Sequence, residues 1–167
     1  MMEQRKNINR GYMLLRVWQD ARELYILTWS VVKHFPYELK RIASQQIASV
    51  DSIHRNIAEG YCRRGIKEYL QHLNIASGST GESVSALHVY CPAGHISEKE
   101  FEAMDVLAYK LENGLKKLIE SLQTKQASND WDDSFIVKES NEAYLTKIDL
   151  PKLKHSGASA CHSKGIP

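Results

Sequence analysis

Apolar residues recur at steps of three and four in four separate blocks of the chain, which is the period of an amphipathic α-helix. The first block ends at "HFPYE", where Pro36 cannot continue the helical hydrogen bonds, and the third ends at "CPAGH". The pattern therefore predicts four helices, and no strand-like alternation competes with it. The predicted stripes are Leu14, Val17, Ala21, Leu24, Thr28, Val31 and Phe35; Ile47, Val50, Ile53, Ile57 and Tyr61; Ile66, Leu70, Leu73, Ser77, Thr80, Val84, Leu87 and Cys91; and Phe101, Met104, Leu107, Leu111, Leu115, Leu118 and Leu122.

The fourth block has the clearest start. Ser97 suits an N-cap, and Glu100 three residues later completes a capping box. Ile96 and Phe101 are placed to form a hydrophobic staple across this cap.

Each helix is expected to have roughly 18–26 residues, and short connections favour antiparallel neighbours. We therefore predict an all-α fold, an antiparallel up-down-up-down four-helix bundle over residues 13–124, preceded by a segment at 1–12. Residues 125–167 are rich in small and polar side chains and are predicted to be a mostly disordered tail, in which "FIVKESNEAYL" is the one candidate for a short docked element.

Charge is unevenly distributed although the net charge is only +2. Residues 1–67 hold 12 basic and 6 acidic side chains, whereas residues 68–125 hold 5 basic and 8 acidic ones. Clustered positive charge of this kind attracts phosphate backbones, although a solvated helix face is the commoner explanation. Three cysteines without a Cys-x-x-Cys pattern, and no signal-like or membrane-spanning apolar run, predict a cytoplasmic protein.

The stretch "NIAEGYCRRGIKEYL" places polar residues and glycines where the second helix gives way to the third. Asn56, Glu59 and Arg63 share a polar stripe with Ser52, and Glu59 and Arg63 are spaced for an ion pair. Gly60 suits a helix end or a close crossing of backbones. Every residue here has a structural role available to it.

The same junction is a candidate phosphate contact, because Arg63, Arg64 and Lys67 flank a helix N-terminus. A P-loop is excluded, since neither its glycine-lysine pattern nor a preceding strand is present.

The third helix contains "SGSTGES", in which Gly78 and its neighbours are poor helix formers. Small side chains let two backbones approach, so this segment predicts a tight helix–helix or subunit contact, with a small-molecule pocket as the alternative. Glu82 is expected near the Asn56 stripe, as part of a shared polar network.

The words "VWQDARELY", "HFP", "NIAEGYCRRGIKEYLQHLNIASGS" and "GHISEKEFE" occur in this order between about Leu15 and Leu122. Together they resemble the four-helix-bundle protein family encoded in intervening sequences of bacterial 23S ribosomal RNA genes. The resemblance implies an antiparallel bundle that assembles as a homopentamer. The family is similar to the accessory variability protein of diversity-generating retroelements, which binds nucleic acid and a reverse transcriptase. An Arg-Arg pair that many relatives carry before "NIAEG" is missing here, where the chain reads "QQIASVDSIHR".

No enzyme is predicted. Glu-x-x-His, the bundle motif for carboxylate-bridged metals, does not occur, and the histidines lack zinc-site spacing. Cys62 lies beside arginines that would lower a thiol pKa, but it has no identifiable base and is interpreted as a packing residue. We therefore expect no catalytic residues, no metal and no cofactor.

The sequence favours a non-enzymatic, homo-oligomeric bundle that binds RNA or DNA as an accessory factor, with a reverse transcriptase as a further partner implied by the resemblance. The alternative is a protein-interaction scaffold without a nucleic-acid role. The predicted nucleic-acid contacts are Lys40, Arg41, Arg55, Arg63, Arg64 and Lys67, and the predicted structural motif is Asn56, Glu59, Gly60, Gly78 and Glu82.

Overall fold

A computed structural model describes residues 10–63 and 65–129 of the chain. These residues form four α-helices and two short 3₁₀ turns, and the described part of the chain contains no strand. The helices are α1 (Arg16–Val32), α2 (Lys40–Cys62), α3 (Ile66–Tyr90) and α4 (Glu98–Ala127), and the 3₁₀ turns are Gly11–Leu14 and Tyr37–Leu39. The prediction of an all-α fold with four helices is therefore confirmed.

Each helix packs against two others, so that α1 and α3 both contact α2 and α4. This arrangement is a four-helix bundle, and its most extensive interface joins α2 to α3. The apolar stripes meet along its axis, where full burial of each large side chain contributes about 1.5–3 kcal/mol. The largest fully buried apolar side chains are Leu24, Ile53, Ile57, Leu73, Leu87, Met104, Leu111 and Leu115.

Residue pairs along the α2–α3 interface follow opposite numerical directions. In the α2–α3 interface the Tyr90 hydroxyl donates to the Ile42 carbonyl at 3.5 Å, whereas Gly60, near the end of α2, lies against His72 near the start of α3. The α1–α4 interface includes an ion pair in which Lys110 donates to Asp20 at 2.7 Å. Asp20 is nearly buried, so this bond satisfies a carboxylate that would otherwise be costly to bury.

The cap predicted for the fourth helix is confirmed. The Ser97 hydroxyl accepts from the Glu100 backbone N–H at 3.3 Å, and the Ser97 N–H donates to the Glu100 carboxylate at 2.8 Å. The Ser97 hydroxyl also donates to the Glu100 carboxylate at 2.7 Å, and this bond, with the one from the Ser97 N–H, holds the pKa of Glu100 below its ordinary value by stabilising the charged carboxylate. Ile96 before the cap is buried, and Phe101 packs against the core.

Two predicted boundaries were wrong. Leu15 is extended, with φ −69° and ψ 126°, and it separates the first 3₁₀ turn from α1. Leu14 therefore lies outside the helical stripe, and its side chain is 66 % exposed. At the other end, α4 continues to Ala127 because its last residues are good helix formers, so the predicted tail begins too early. With 17 residues in α1 and 30 in α4, both lie outside the predicted length range.

The buried stripe of α3 also differs from the predicted one. Ser77 and Val84 are only half-buried, whereas Ala76 and Ser83 are buried. Small or polar residues can occupy core positions where a neighbouring helix comes close or offers a hydrogen bond, and hydrophobicity alone does not reveal them. The predicted disorder of residues 130–167 lies outside the described residues, as do residues 1–9 of the predicted N-terminal segment.

Candidate nucleic-acid interface and the polar seam of α2 and α3

The junction between α2 and α3 is built around a close helix crossing at Gly60. A Cβ at this position would lie 2.8 Å from both the His72 Cβ and the Tyr69 Cδ2, so only glycine fits without movement. α2 continues two residues beyond Gly60 before Arg63 turns to an extended conformation. α3 then begins with Gly65 as its N-cap. Of the two roles predicted for Gly60, the close crossing is the one observed.

Polar side chains join α2 to α3 along a line that we call the polar seam, formed by Ser52, Asn56, His72 and Ser79. The Asn56 amide donates to the Ser52 carbonyl at 2.8 Å and to its hydroxyl at 3.1 Å. The Ser79 hydroxyl donates to the Ser52 hydroxyl at 2.9 Å, and His72 Nδ1 lies 3.0 Å from the Asn56 side-chain oxygen. With the amide in this orientation, His72 Nδ1 is the donor.

Glu59 lies at the exposed edge of the seam. It forms an ion pair with Arg63 one turn later, and His72 Nε2 is 3.7 Å from its carboxylate. The bond from Arg63 lowers the pKa of Glu59, and the same bond raises the pKa of Arg63. Asn56, Glu59 and Gly60 thus share one region of contact between the two helices.

A second polar contact crosses the same interface. Gln46 is almost fully buried on α2, and its amide donates to the Ser83 hydroxyl at 2.8 Å. Their pairing was not predicted from the sequence, because Gln46 occupies a position of the apolar period and Ser83 was noted only as part of the small-residue segment of α3. The contact depends on which face of α3 turns towards α2, which no local pattern encodes.

One prediction about α3 was wrong, because Glu82 is exposed and the side chain of Asn56 bonds to Ser52 and His72 instead. The segment around Gly78 was expected at a tight helix–helix or subunit contact, and its residues Ser79 and Ser83 do contact α2. No atom lies within 4 Å of a Cβ placed at Gly78 or at Gly81, however. Both glycines face outwards, so within the described residues they permit no helix crossing. The predicted alternative of a subunit contact is unaffected.

The predicted nucleic-acid contacts do not form one patch. Lys40 and Arg41 begin α2, whereas Arg63 and Lys67 flank its far end, about 33 Å away at 1.5 Å per residue. Arg55 lies between them and donates to Asp51 at 3.2 Å. All five side chains are exposed, and Arg64 lies outside the described residues.

These cations also differ in whether they form ion pairs. Arg55 and Arg63 are each neutralised by an acid one turn earlier on α2. Lys40 and Arg41 form no ion pair with a described residue. The Lys40 ammonium instead lies 3.5 Å from the Lys33 carbonyl at the end of α1. Lys33 is also exposed and unpaired among the described residues, and the sequence analysis missed it because it belongs to a different helix.

No group of three or more His, Cys, Asp or Glu side chains among residues 10–63 and 65–129 is arranged to hold a metal ion. Cys62 is exposed, so its predicted packing role was wrong.

A surface depression of about 590 Å³ lies between α3 and α4, and Lys67 is its one charged lining residue. No helix in the described part of the chain is long and apolar enough to cross a membrane.

Comparison with known proteins shows which family the chain belongs to. The family model for the 23S rRNA-intervening sequence protein matches residues 13–117, which is most of the bundle. The chain belongs to the 23S rRNA-intervening sequence protein family. The segment "NIAEG" of this chain contributes Asn56 to the polar seam, and Glu59 and Gly60 to the contacts beside it. The resemblance stated from the sequence is therefore confirmed.

A crystal structure from Bacteroides thetaiotaomicron has a similar fold. That protein, of unknown function and from the S23 ribosomal protein family, is 21 % identical to this chain, with a TM-score of 0.58. The match covers 62 % of this chain and 95 % of the other. At this identity the likeness supports the fold alone. No curated protein matches the chain significantly.

Proposed function

We propose that this member of the 23S rRNA-intervening sequence protein family is a non-enzymatic, cytoplasmic accessory factor that binds RNA or DNA. The observation that carries the proposal is the clustering of Lys33, Lys40 and Arg41, which we call the basic corner. All three side chains are exposed, and none forms an ion pair with a described residue. Unpaired cations on one surface attract the phosphates of a nucleic acid.

The helix geometry strengthens the positive potential at this corner. Lys40 and Arg41 occupy the first turn of α2, which has no acidic residue and no side-chain cap. The N-terminus of a helix carries partial positive charge and favours anions, so two cations there are unfavourable in isolation. The Lys40 N–H already donates to the Tyr37 carbonyl, and a bound phosphate would relieve the repulsion between these cations and the helix end. Arg55 and Arg63 are secondary contacts in this proposal, because an acid already neutralises each of them.

Binding is tested by fluorescence anisotropy with labelled duplex DNA and structured RNA at about 50 and 200 mM salt. The double variant Lys40→Glu, Arg41→Glu should lose at least tenfold in affinity, and its salt dependence should weaken by roughly 0.9 per lost phosphate contact. The matched control is Lys116→Glu, Lys117→Glu, which makes the same charge change at exposed positions of α4. Equal losses in both variants, or no binding by the native protein at micromolar concentration in low salt, would refute the proposal.

The second candidate is a protein-interaction scaffold without a nucleic-acid role. The ion pairs of Arg55 and Arg63 favour it, because they remove positive charge from the middle of α2. Exposed Val106 and Tyr109 on α4 also offer apolar surface for a protein. A reverse transcriptase is the partner implied by the resemblance to retroelement accessory proteins. A partner that is captured equally well after nuclease treatment would favour the scaffold over the nucleic-acid proposal.

We also propose an antiparallel up-down-up-down topology and a homopentameric assembly. The opposed numbering of contacts between α2 and α3, and the short connections, support the topology. Support for the assembly comes from Gly78 and Gly81, which weaken α3 although no atom of residues 10–63 and 65–129 lies within 4 Å of a Cβ placed at either position. Exposed glycines on a helix allow the backbone of another copy to approach closely.

A further inference from the structure

Two large aromatic side chains lie exposed beside the basic corner. Trp29 in the penultimate turn of α1 is 51 % exposed, and Tyr37 in the following 3₁₀ turn is 87 % exposed. Trp29 lies on the same outward helix face as Ile26, which is 50 % exposed, and Lys33. Adjacent exposed apolar side chains, unlike single scattered ones, can mark a surface that binds another molecule.

Cations surround these aromatic residues on both sides. Arg22 and Lys33 are spaced four residues before Ile26 and four after Trp29, so the stripe is about 17 Å long and has a cation at each end. Tyr37 falls between Lys33 and Lys40 in the chain, and the Lys40 ammonium contacts the Lys33 carbonyl. From residue 33 to 41 the chain has three cations and one acid, and that acid, Glu38, forms no ion pair with a described residue.

The start of α4 lies at the same end of the bundle as the basic corner but is acidic. Phe35 and Tyr90 pack with their ring centroids 6.3 Å apart, so the start of α4 lies at the same end as the basic corner. Residues 98–105 hold four acids and one lysine. Aromatic surface is therefore paired with positive charge at one corner, which is the combination that binds single-stranded nucleic acids.

We propose that Trp29 and Tyr37 stack against unpaired bases of a single-stranded nucleic acid while Lys33, Lys40 and Arg41 bind its phosphates. This inference rests on the proposed nucleic-acid function and specifies its substrate class. A duplex hides the faces of its bases, so aromatic side chains contribute binding energy only where bases are unstacked. Stacking also places few demands on sequence, because every base has a π-face.

The test compares a labelled poly(dT) oligonucleotide with a duplex of the same length by fluorescence anisotropy at low salt. Trp29→Ala and Tyr37→Ala should each weaken single-strand binding about 5- to 100-fold and change duplex binding little. Trp29→Phe should retain most of the affinity, because it keeps an aromatic face. Tyr109→Ala is the matched control, since Tyr109 is 67 % exposed on α4 away from the corner.

Salt dependence separates stacking from charge. Trp29→Ala should leave the slope of log affinity against log salt for the single strand unchanged, whereas Lys33→Ala should reduce it by roughly 0.7. If the native protein binds duplex and single strand alike and Trp29→Ala has no effect, the stacking proposal fails while the proposed function stands. If it binds neither, both fail.

A second copy of the chain is the rival occupant, because the acidic residues at the start of α4 could face this basic corner in a neighbouring protomer. Light scattering on Trp29→Ala and Tyr37→Ala decides between the two. An unchanged mass together with lost single-strand binding supports the proposal. A reduced mass would show that the aromatic surface is a subunit interface, and would overturn it. Tyr37 is almost fully exposed, so its substitution tests the surface without risk to the fold.

Discussion

At the scale of single residues, glycine has opposite consequences at two positions of the bundle. Gly60 is buried where α2 crosses α3, and the side chain of His72 fills the space that a Cβ would need. Gly78 faces outwards, and no atom of the described residues lies within 4 Å of a Cβ placed there. The first glycine is required by packing inside the bundle, whereas within the described part of the chain the second has no packing role and lowers helix propensity.

We predict that Gly60→Ala destabilises the protein by about 1–3 kcal/mol, because the new methyl group overlaps the His72 Cβ and Tyr69. The control Gly78→Ala should stabilise an isolated chain by up to about 1 kcal/mol, since it improves helix propensity in open space. Urea unfolding followed by circular dichroism measures both. A Gly60→Ala variant as stable as the native protein would contradict the close crossing.

Tyr69 provides a pH-dependent prediction. Burial raises its pKa to about 12 from the ordinary 10.0, because the charged phenolate is poorly solvated there. The neutral phenol therefore stabilises the fold fully below pH 10, and this contribution is lost as the pH rises from 10 towards 12. We expect Tyr69→Phe to lose less free energy of unfolding across this window than the native protein does. Tyr109→Phe, at an exposed position, should behave like the native protein, and identical alkaline profiles for all three would refute the assignment.

Some of these residue contacts were accessible from the sequence and others were not. The Glu59–Arg63 pair follows from helical spacing alone, since both residues lie on α2. The partners of Asn56 and Gln46 lie on α3, and their identity depends on how α3 is rotated about its axis. Glu82 was misplaced for this reason. A rotation of α3 that buries Ser83 leaves its neighbour Glu82 facing solvent.

At the scale of elements, helix ends with side-chain signals were predicted better than ends without them. The start of α4 follows from Ser97 and Glu100, whose side chains bond to the local backbone. The start of α1 has no capping side chain, and it depends on the extended conformation of Leu15. The periodic pattern continues across Leu15 into the 3₁₀ turn, so periodicity alone placed Leu14 in the helix.

We predict that Ser97→Ala destabilises the bundle by about 0.5–2 kcal/mol at neutral pH, because it removes the cap of α4. Ser121→Ala, at an exposed position within the same helix, should change stability by less than about 0.5 kcal/mol. Part of the difference comes from Glu100, whose lowered pKa stabilises the fold above the ordinary value of 4.5. The gap between native and Ser97→Ala should therefore narrow as the pH falls through the folded-state pKa of Glu100, and thermal melts at several pH values would show whether it does.

At the scale of the whole molecule, basic residues, acidic residues and exposed glycines lie in different regions of the surface. The basic corner lies where α1 meets α2, acids predominate at the start of α4, and exposed glycines lie on the outer face of α3. The excess of basic residues in the first half of the sequence indicated a positively charged surface such as the basic corner. The count of charges did not reveal that Arg55 and Arg63 are paired, whereas the four-residue spacing of Glu59 and Arg63 on α2 predicted that pair.

We predict that light scattering on a size-exclusion column will give a mass near five chains of 19.0 kDa each. Gly78→Arg should lower this mass while the helical circular dichroism signal persists, because the substitution adds a bulky cation to the outer face of α3 without touching the core. Asn113→Arg on the exposed face of α4 is the control and should leave the mass unchanged. A monomeric native protein would end the pentamer proposal and leave the bundle intact.

The polar seam also has a consequence for how uniquely the bundle is packed. If α3 slid by one heptad along α2, Ser52 would face Ala86 instead of Ser79, and the buried Gln46 amide would lose Ser83. A buried donor without a partner costs about 1–3 kcal/mol, whereas leucines would tolerate the shift. An all-leucine version of this interface should thus melt at a higher temperature yet give doubled or broadened NMR resonances, because several alignments would then be nearly equal in energy.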